Sequence, residues 1–554
     1  MTTIGLIMAA IAAMAFASKP PLSPNSSDVF TQLYDKKVTL TKNSEPLITV
    51  GVVNDTEQVT LRADSTVDID FWQAGQQRHY TINNGESIRI KVNQATTATR
   101  QYYVDFAGSS YGDEIKLKQV LATWTNKGIK QIKVNTEGMI LPLRYRAIDN
   151  REYRLYINAT NQAEAQQQAT DFFYRFGVHA EVKTKLTKLP HGNLEVFATK
   201  RVLGVATDYI HLQAASGILQ VDKVEYGRGY RWHGYEDRSY RGELYIAINP
   251  EGNLAVINVL GIENLLEGTV PAELYASSPK EALKAQAVAA RNHMLAKLGR
   301  RHHADPFQLC SFQHCQVYAG TSREDPRSKE AIKETAGQVL FLNNRLVDCV
   351  YSASCGGYTE DNDAVWGDEP DPALRGRPDF DVHEHPELAP FVAGLNEKLI
   401  PAWINITPKS FCANAAKEAS QKVRWSRTFK ADELSKLLQP QYGNIGALRD
   451  LVIKRRGVGG KVIILSLIGK LGSVDVIHEL PIRRLFNNLN SAAFIIDISR
   501  NQAGDLTEVA FHGAGWGHGV GMCQLGAIGR AQALHTFDQI LAHYYNGAYL
   551  EKLY

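Results

Sequence analysis

The chain has 554 residues, 44% of them hydrophobic and 21% charged, proportions that exclude a disordered chain, a collagen and a coiled coil. Its 61 Lys and Arg against 58 Asp and Glu leave a net charge of +3, which gives no support to a nucleic-acid partner, since that needs a concentrated basic surface. Six cysteines are too sparse for a disulfide-dense scaffold, and the length suits two to four domains at about 150 residues each.

Residues 4–17, IGLIMAAIAAMAFA, are an apolar run too short to span a bilayer comfortably. The run ends in Ala15-Phe16-Ala17 ahead of Ser18, the layout of a signal peptide over residues 1–17. Met-Thr-Thr at the start carries no Lys or Arg, so an uncleaved N-terminal anchor is the alternative. Either form predicts an exported protein of the periplasm or cell envelope, touching a membrane only through an uncleaved N-terminus. No later segment reaches 18 apolar residues, and Val462–Gly469 reads as a buried strand.

Residues 18–115 form a β-rich region. The runs LITVGVV, VTLRA, VDIDFW and IRIKV alternate apolar and polar and are broken by Asn-Asp, Asn-Asn-Gly and Gly-Ser-Ser. Residues 116–215 read as a small α/β module. YRLYIN is a strand, Thr160 an N-cap, Gln162–Phe176 a helix, Gly177 its C-cap and VHAEVKT a second strand. This βαβ module resembles a SPOR-type repeat, which binds peptidoglycan glycan. A generic βαβ element is the simpler reading, because fold alone does not give function.

From residue 216 the strands GELYIAINP and NLAVINVLG lead into a regular helix. Ser278-Pro279-Lys280-Glu281 predicts a capping box with Pro at N1. EALKAQAVAARNHMLAKL follows, stopped by Gly299, and its alanines require close neighbours. Thr536-Phe-Asp-Gln539 repeats the capping logic before ILAHYY, which Gly547 ends. The fold class is α+β: a β-rich N-terminal region, a βαβ module and a mixed α/β region over 216–554.

Four ordered stretches carry the chemistry. They are GTVPAELYASSPKEALKAQAVAARN (268–292), LCSFQHCQVYAG (309–320), VYSASCGGYTE (350–360) and GWGHGVGMCQLGA (515–527). Cys310-x3-His314-Cys315, with His302 and His303 just upstream, has the soft, closely spaced donors of a tetrahedral zinc site. A disulfide, Cys310–Cys315 or one reaching Cys355, is the alternative that an exported protein permits. Glycine at every second position from Gly513 to Gly521 removes side chains where a bulky ligand or another backbone must come close. Within that loop Trp516 offers a flat face for a sugar ring and His518 a protonatable group. Ser352, Ser354, Gly356 and Gly357 form a similar, weaker case.

Together these stretches resemble the SpoIID/LytB family of sporulation and cell-wall proteins. RWSRTF (424–429), RRGVGGKV (455–462), LPIRRLF (480–486) and the ending ILAHYYNGAYLEKLY are weaker matches in the same order. The resemblance places the family's catalytic acid on Glu273, with Leu274 and Tyr275 replacing Met and Pro. Read locally, Glu273 lies on a short connection bounded by Pro271 and Pro279, against Val270 and Leu274, where burial would raise its pKa. A general acid needs that shift; a surface carboxylate is the plain alternative. For a second carboxylate, Glu267, Glu360 and Asp361 are all conceivable.

The resemblance implies a peptidoglycan lytic transglycosylase acting on glycan strands stripped of stem peptides, in sporulation, division or wall remodelling. Such an enzyme needs one Glu, because the attacking C6 hydroxyl belongs to the same N-acetylmuramic acid and products carry 1,6-anhydro ends. It also implies contact between glycan and the loop of Trp516 and His518, with Ser354, Gly356 and Gly357 alongside. Some members hold a structural zinc through two Cys and two His, which here implies Cys310, His314, Cys315 and His303, with Cys355 competing for the fourth place. The rival function is a non-enzymatic glycan-binding enhancer of an N-acetylmuramoyl-L-alanine amidase. Cys523 stands where the family usually has Ser, a buried small thiol on the plain reading.

Overall fold

In the strand Val67–Gln73, Val67, Ile69 and Phe71 are buried while Asp68 is exposed, the alternation of a half-buried strand. A computed structural model of the protein describes residues 26–554 other than 111, 177, 179, 200, 229–231, 368 and 416–419. The apolar run 4–17 with its Ala15-Phe16-Ala17 pattern lies outside the described residues, as does Gly177. Among the described residues, no helix is long and apolar enough to cross a membrane.

The fold is α+β. One sheet runs in the order Thr39–Leu40, Pro46–Thr56, Leu254–Gly261, Glu243–Ile248, Tyr209–Ala214, Val67–Gln73 and Gln76–Ile82, with Leu309–Cys310 added parallel to Pro46–Thr56. A six-stranded sheet runs Arg201–Thr207, His191–Ala198, Ile88–Thr96, Gln58–Arg62, Ile218–Tyr226 and Gly234–Arg241. The two share one apolar core with the alanine-rich helix. Both sheets take strands from either side of residue 216, so early and late segments fold together.

The helix Gln162–Phe176 forms with the expected bounds. Its cap is Asn161, whose Oδ1 accepts the Glu164 N–H at 2.9 Å, while Thr160 instead donates its own N–H to the Glu164 carboxylate. The simple βαβ reading is corrected. Glu152–Ala159 and Glu181–Lys188 both pair antiparallel to Thr99–Ser110, which lies between them. With Lys133–Glu137 at the edge and helix Glu114–Asn126 before it, the order is that of a ferredoxin-like βαββαβ module. Its separate core joins Val104, Phe106 and Leu155 to Leu117, Trp124 and Phe172 of the two helices.

Helix Lys280–Lys297 is buried along most of its length, Ala282, Ala285, Ala287, Ala289 and Ala290 completely. A helix buried all round must satisfy its polar residues internally. Asn292 donates to the carbonyls of Leu340 and Val347 and accepts the Leu340 N–H. Arg291 makes a bidentate pair with Glu263 at 2.8 and 2.6 Å, tying this helix to Ile262–Glu273. The expected capping box at Ser278 is absent: Pro279 precedes the first turn without a side-chain cap. Glu281 is drawn away, accepting the Phe537 N–H at 2.8 Å and pairing with Lys284. The Thr536–Gln539 capping box does form, at the start of Phe537–Tyr544. A further core is built on Arg424–Lys430, Leu506–Ala514, Phe494–Arg500, Leu448–Arg456 and Val462–Gly469, and a smaller one gathers Tyr358, Phe380, Phe391 and Trp403.

Candidate active site

Glu273 is the last residue of helix Ile262–Glu273. The expected Pro-bounded connection is therefore corrected. The helix continues through Pro271, and the Leu274 N–H still reaches the Val270 carbonyl at 2.9 Å, because Pro in the last turn deprives only one upstream carbonyl of its donor. The side chain is half-buried. Gln316 Nε2 donates to its Oε1 at 3.4 Å, and Gln524 Nε2 donates to its backbone carbonyl at 3.0 Å. Burial pushes the Glu273 carboxyl up to about 7, against the opposing pull of the Val317 N–H, the Gln524 amide and the Lys297 charge.

Tyr351 and Gln286 complete the surround. Gln316 Nε2 also donates to the Tyr351 hydroxyl, whose own ionisation is opposed by burial and by the Glu273 charge. Gln524 Nε2 reaches Gln286 Oε1 at 3.3 Å. Gln286 Nε2 and Gln316 Oε1 are buried and have no hydrogen-bond partner among the described residues. Buried amide atoms left this way are ones a polar ligand or water satisfies.

Among the described residues, no carboxylate is one of the groups that shift Glu273. The three conceivable second acids are engaged elsewhere. Glu267 pairs with Lys329 at 2.9 Å. Glu360 is fully buried, accepting the N–H groups of Asp361, Gly459 and Lys461 at 3.0–3.2 Å. Asp361 pairs with Arg375 and accepts the Gly376 N–H.

The two glycine-bearing stretches run side by side. Tyr351 and Ser352 pair with Met522 and Cys523, and Ser354 exchanges backbone bonds with Trp516 at 3.1 and 2.8 Å. Gly356, at φ +72°, lies so close that a Cβ there would be 2.7 Å from the Gly515 nitrogen; Gly357 is also buried at positive φ. Ser354 is fully buried, its hydroxyl accepting the Gly356 N–H at 3.3 Å, so it braces the turn. His518 Nε2 donates to the Tyr351 carbonyl at 2.9 Å, and its Nδ1 accepts the Val520 N–H at 3.1 Å. Burial holds its pKa down at about 3. With both nitrogens committed and the ring neutral, His518 positions Tyr351 and offers a ligand only its ring, against which Trp366 packs at 5.2 Å. Trp516 is half-buried.

Cys310, His314 and Cys315 come together as expected, but the fourth member is His302. His303 faces Glu137 instead, at 3.5 Å, and Cys355 lies in a different cluster. The single-residue change follows from the backbone: His302 sits at φ +55°, which turns successive side chains apart. His302 Nε2 is 3.2 Å from Cys315 Sγ, and His314 Nδ1 is 3.7 and 3.5 Å from the sulfurs of Cys310 and Cys315. A tetrahedral zinc with bonds of about 2.0–2.3 Å holds sulfur and nitrogen donors about 3.5 Å apart. His302 Nδ1 bonds Asp305 at 2.8 Å, the carboxylate–histidine support common behind metal ligands. The donor set fits zinc. All six cysteines are free thiols.

The sequence profile of the SpoIID family (Stage II sporulation protein) matches residues 250–342, and that of a domain of unknown function (DUF8618) matches 360–521. The chain is 28% identical over 298 residues to the amidase enhancer of Bacillus subtilis (strain 168). That match covers 51% of this chain and 40% of the enhancer, so less than half of the enhancer is represented. It is 26% identical over 322 residues to stage II sporulation protein D of the same strain, covering 55% of this chain and 79% of that protein. These matches support assignment of the chain to the SpoIID/LytB family. An uncharacterized protein of Brachyspira hyodysenteriae is also similar, 24% identical over 376 residues, covering 68% of this chain and 85% of the other.

Within the four motif stretches of the sequence, sequence reasoning missed Gln286, Gln316, Tyr351 and Gln524. Each lies inside a quoted motif. Polar residues in otherwise apolar or glycine-rich runs were the available signal, since a buried amide demands a partner.

Proposed function

We propose that the protein is a peptidoglycan lytic transglycosylase in which Glu273 is acid and then base. The observation that carries this reading is a Glu with its carboxyl raised to about 7, beside amides and Tyr351, with no carboxylate among the described residues acting on it. Near neutral pH such a group is protonated often enough to give its proton to the glycosidic oxygen. The bond from C1 of N-acetylmuramic acid to that oxygen breaks, and the leaving sugar takes the proton. Glu273, now a carboxylate, removes the proton of the C6 hydroxyl of the same residue, and O6 closes on C1. The nucleophile is already tethered, so no second acid has to activate water. Gln316 and Gln524 hold Glu273 from two sides, and the exposed Tyr275 ring and half-buried Trp516 are flat surfaces for flanking sugars.

The relatives' names, an amidase enhancer and stage II sporulation proteins, support a sporulation- or cell-wall-related role, which we extend to division or wall remodelling. An exported protein of the periplasm or cell envelope is the setting we assign. The ferredoxin-like module would add a SPOR-like glycan grip, and a zinc on His302, Cys310, His314 and Cys315 would be structural, because four protein ligands leave no open position. A second reading, a glycan-binding enhancer of a cell-wall amidase, is favoured by the similarity to the amidase enhancer.

Purified protein incubated with denuded glycan strands tests the proposal. Mass analysis is expected to find 1,6-anhydro-muramyl ends. Reducing ends would require a hydrolase. No cleavage, together with stimulation of an amidase that persists in Glu273→Gln, would establish the second reading instead.

A further inference from the structure

A second cluster of metal-type donors lies apart from the first. Cys355, Asp379, Cys412 and Cys523 are distant in sequence, yet one donor atom from each falls within 4.8 Å of all the others. All four residues are buried, none more than 3% exposed. Cys355 Sγ is 3.9 Å from Cys412 Sγ and 3.5 Å from Asp379 Oδ2. Around one tetrahedral zinc, sulfur donors at about 2.3 Å stand about 3.8 Å apart, and sulfur and carboxylate oxygen about 3.5 Å apart. The sulfur separation is a ligand spacing rather than the about 2.05 Å of a disulfide.

The surroundings are built for this use. Asp379 Oδ1 is held by the Tyr544 hydroxyl at 2.8 Å and Arg530 at 3.1 Å, which leaves Oδ2 to the sulfurs. Cys523 Sγ accepts the N–H groups of Cys355 and Gly526, each at 3.2 Å, and Cys412 Sγ lies 3.4 Å from the Ser410 hydroxyl. Such outer partners orient ligands and favour thiolate. A Cβ at Gly526 would lie 2.5 Å from Asp379 Oδ2, so glycine there leaves the carboxylate its place. Three thiolates, one carboxylate and a dication sum to two negative charges, which Arg530 and Arg424, the latter beside Cys412 and Cys355, offset.

We propose that Cys355, Asp379, Cys412 and Cys523 form a structural site for one zinc-class dication. The ion joins Asp379 and Cys412, both from the 360–521 stretch, to the two glycine-bearing stretches. Cys523 directly precedes Gln524, which donates to the Glu273 carbonyl. The ion therefore anchors the residue that supports the candidate acid, whether or not that acid cleaves glycan.

The full chain, saturated with zinc and desalted, tests this by elemental analysis. Cys412→Ala is expected to lower zinc content by one equivalent relative to wild type, whatever the first cluster holds. Cys349→Ala, a buried cysteine outside both clusters, is expected to change nothing. Should Cys412→Ala fail to fold, Cys310→Ser/Cys315→Ser gives the converse test and is expected to retain one equivalent. Unchanged zinc in folded Cys412→Ala, or none in the double variant, would overturn the proposal. So would a mapped disulfide between any two of Cys355, Cys412 and Cys523.

Discussion

Replacing Glu273 by Gln separates the energetics of the candidate acid from its chemistry. The carboxyl is raised from 4.5 to about 7 by burial, with Lys297, the Val317 N–H and the Gln524 amide pulling it back. At about 1.4 kcal/mol per pH unit, ionising it in the folded protein costs about 3 kcal/mol more than in the unfolded chain. That is an upper figure, because the side chain is half-buried rather than sealed. The folded state holds the proton more tightly, so stability is greatest below pH 4.5 for this group and falls as pH rises to about 7. Glutamine has no such titration. Glu360 is also raised to about 7, so the informative quantity is the difference between wild type and variant. Urea midpoints from pH 4 to 8 are expected to show Glu273→Gln gaining on wild type by up to about 3 kcal/mol towards alkaline pH. Glycan cleavage should fall above about pH 7 in wild type as the acid is lost, and by about 10²–10⁴ at all pH values in the variant, with glycan binding retained. A difference in stability that stays flat with pH would refute the assigned pKa. Cleavage that survives the substitution would refute the role.

Tyr351→Phe removes the hydroxyl partner of Gln316 and is expected to lower the cleavage rate about tenfold, the worth of one hydrogen bond, read in steady-state assays on glycan strands. His302→Ala is expected to lower zinc content by one equivalent and His303→Ala to leave it unchanged, measured by elemental analysis. Glu263→Ala leaves Arg291 buried without its carboxylate and is expected to cost about 3–5 kcal/mol in chemical denaturation. Thr536→Ala removes a capping box that is present and is expected to cost about 1 kcal/mol, whereas Ser278→Ala, where none forms, is expected to cost little.

Local chemistry along the chain determined much. Alternation marked the strands, the alanine-rich run marked a buried helix, and Thr536 with Gln539 marked a cap, because each depends on neighbours within one or two turns. Spacing also grouped three of the four residues in the first cysteine–histidine cluster, whereas Glu273 came from the family resemblance, its local sequence alone reading as a plain surface carboxylate. Where a partner from far along the chain competes, sequence was insufficient. Glu281 accepts the Phe537 N–H rather than capping its own helix N-terminus, and a strand from residues 99–110 slots between two that look consecutive. One positive φ decided between His302 and His303. Cys355, Asp379, Cys412 and Cys523 carry no common spacing to read; their donor atoms meet where the two glycine-bearing stretches pair with each other and where Gly357 and Tyr358 bond to Asp379 and Pro378. Spacing encodes sites built on one turn or loop; a site assembled from four segments exists only once the long-range contacts have formed.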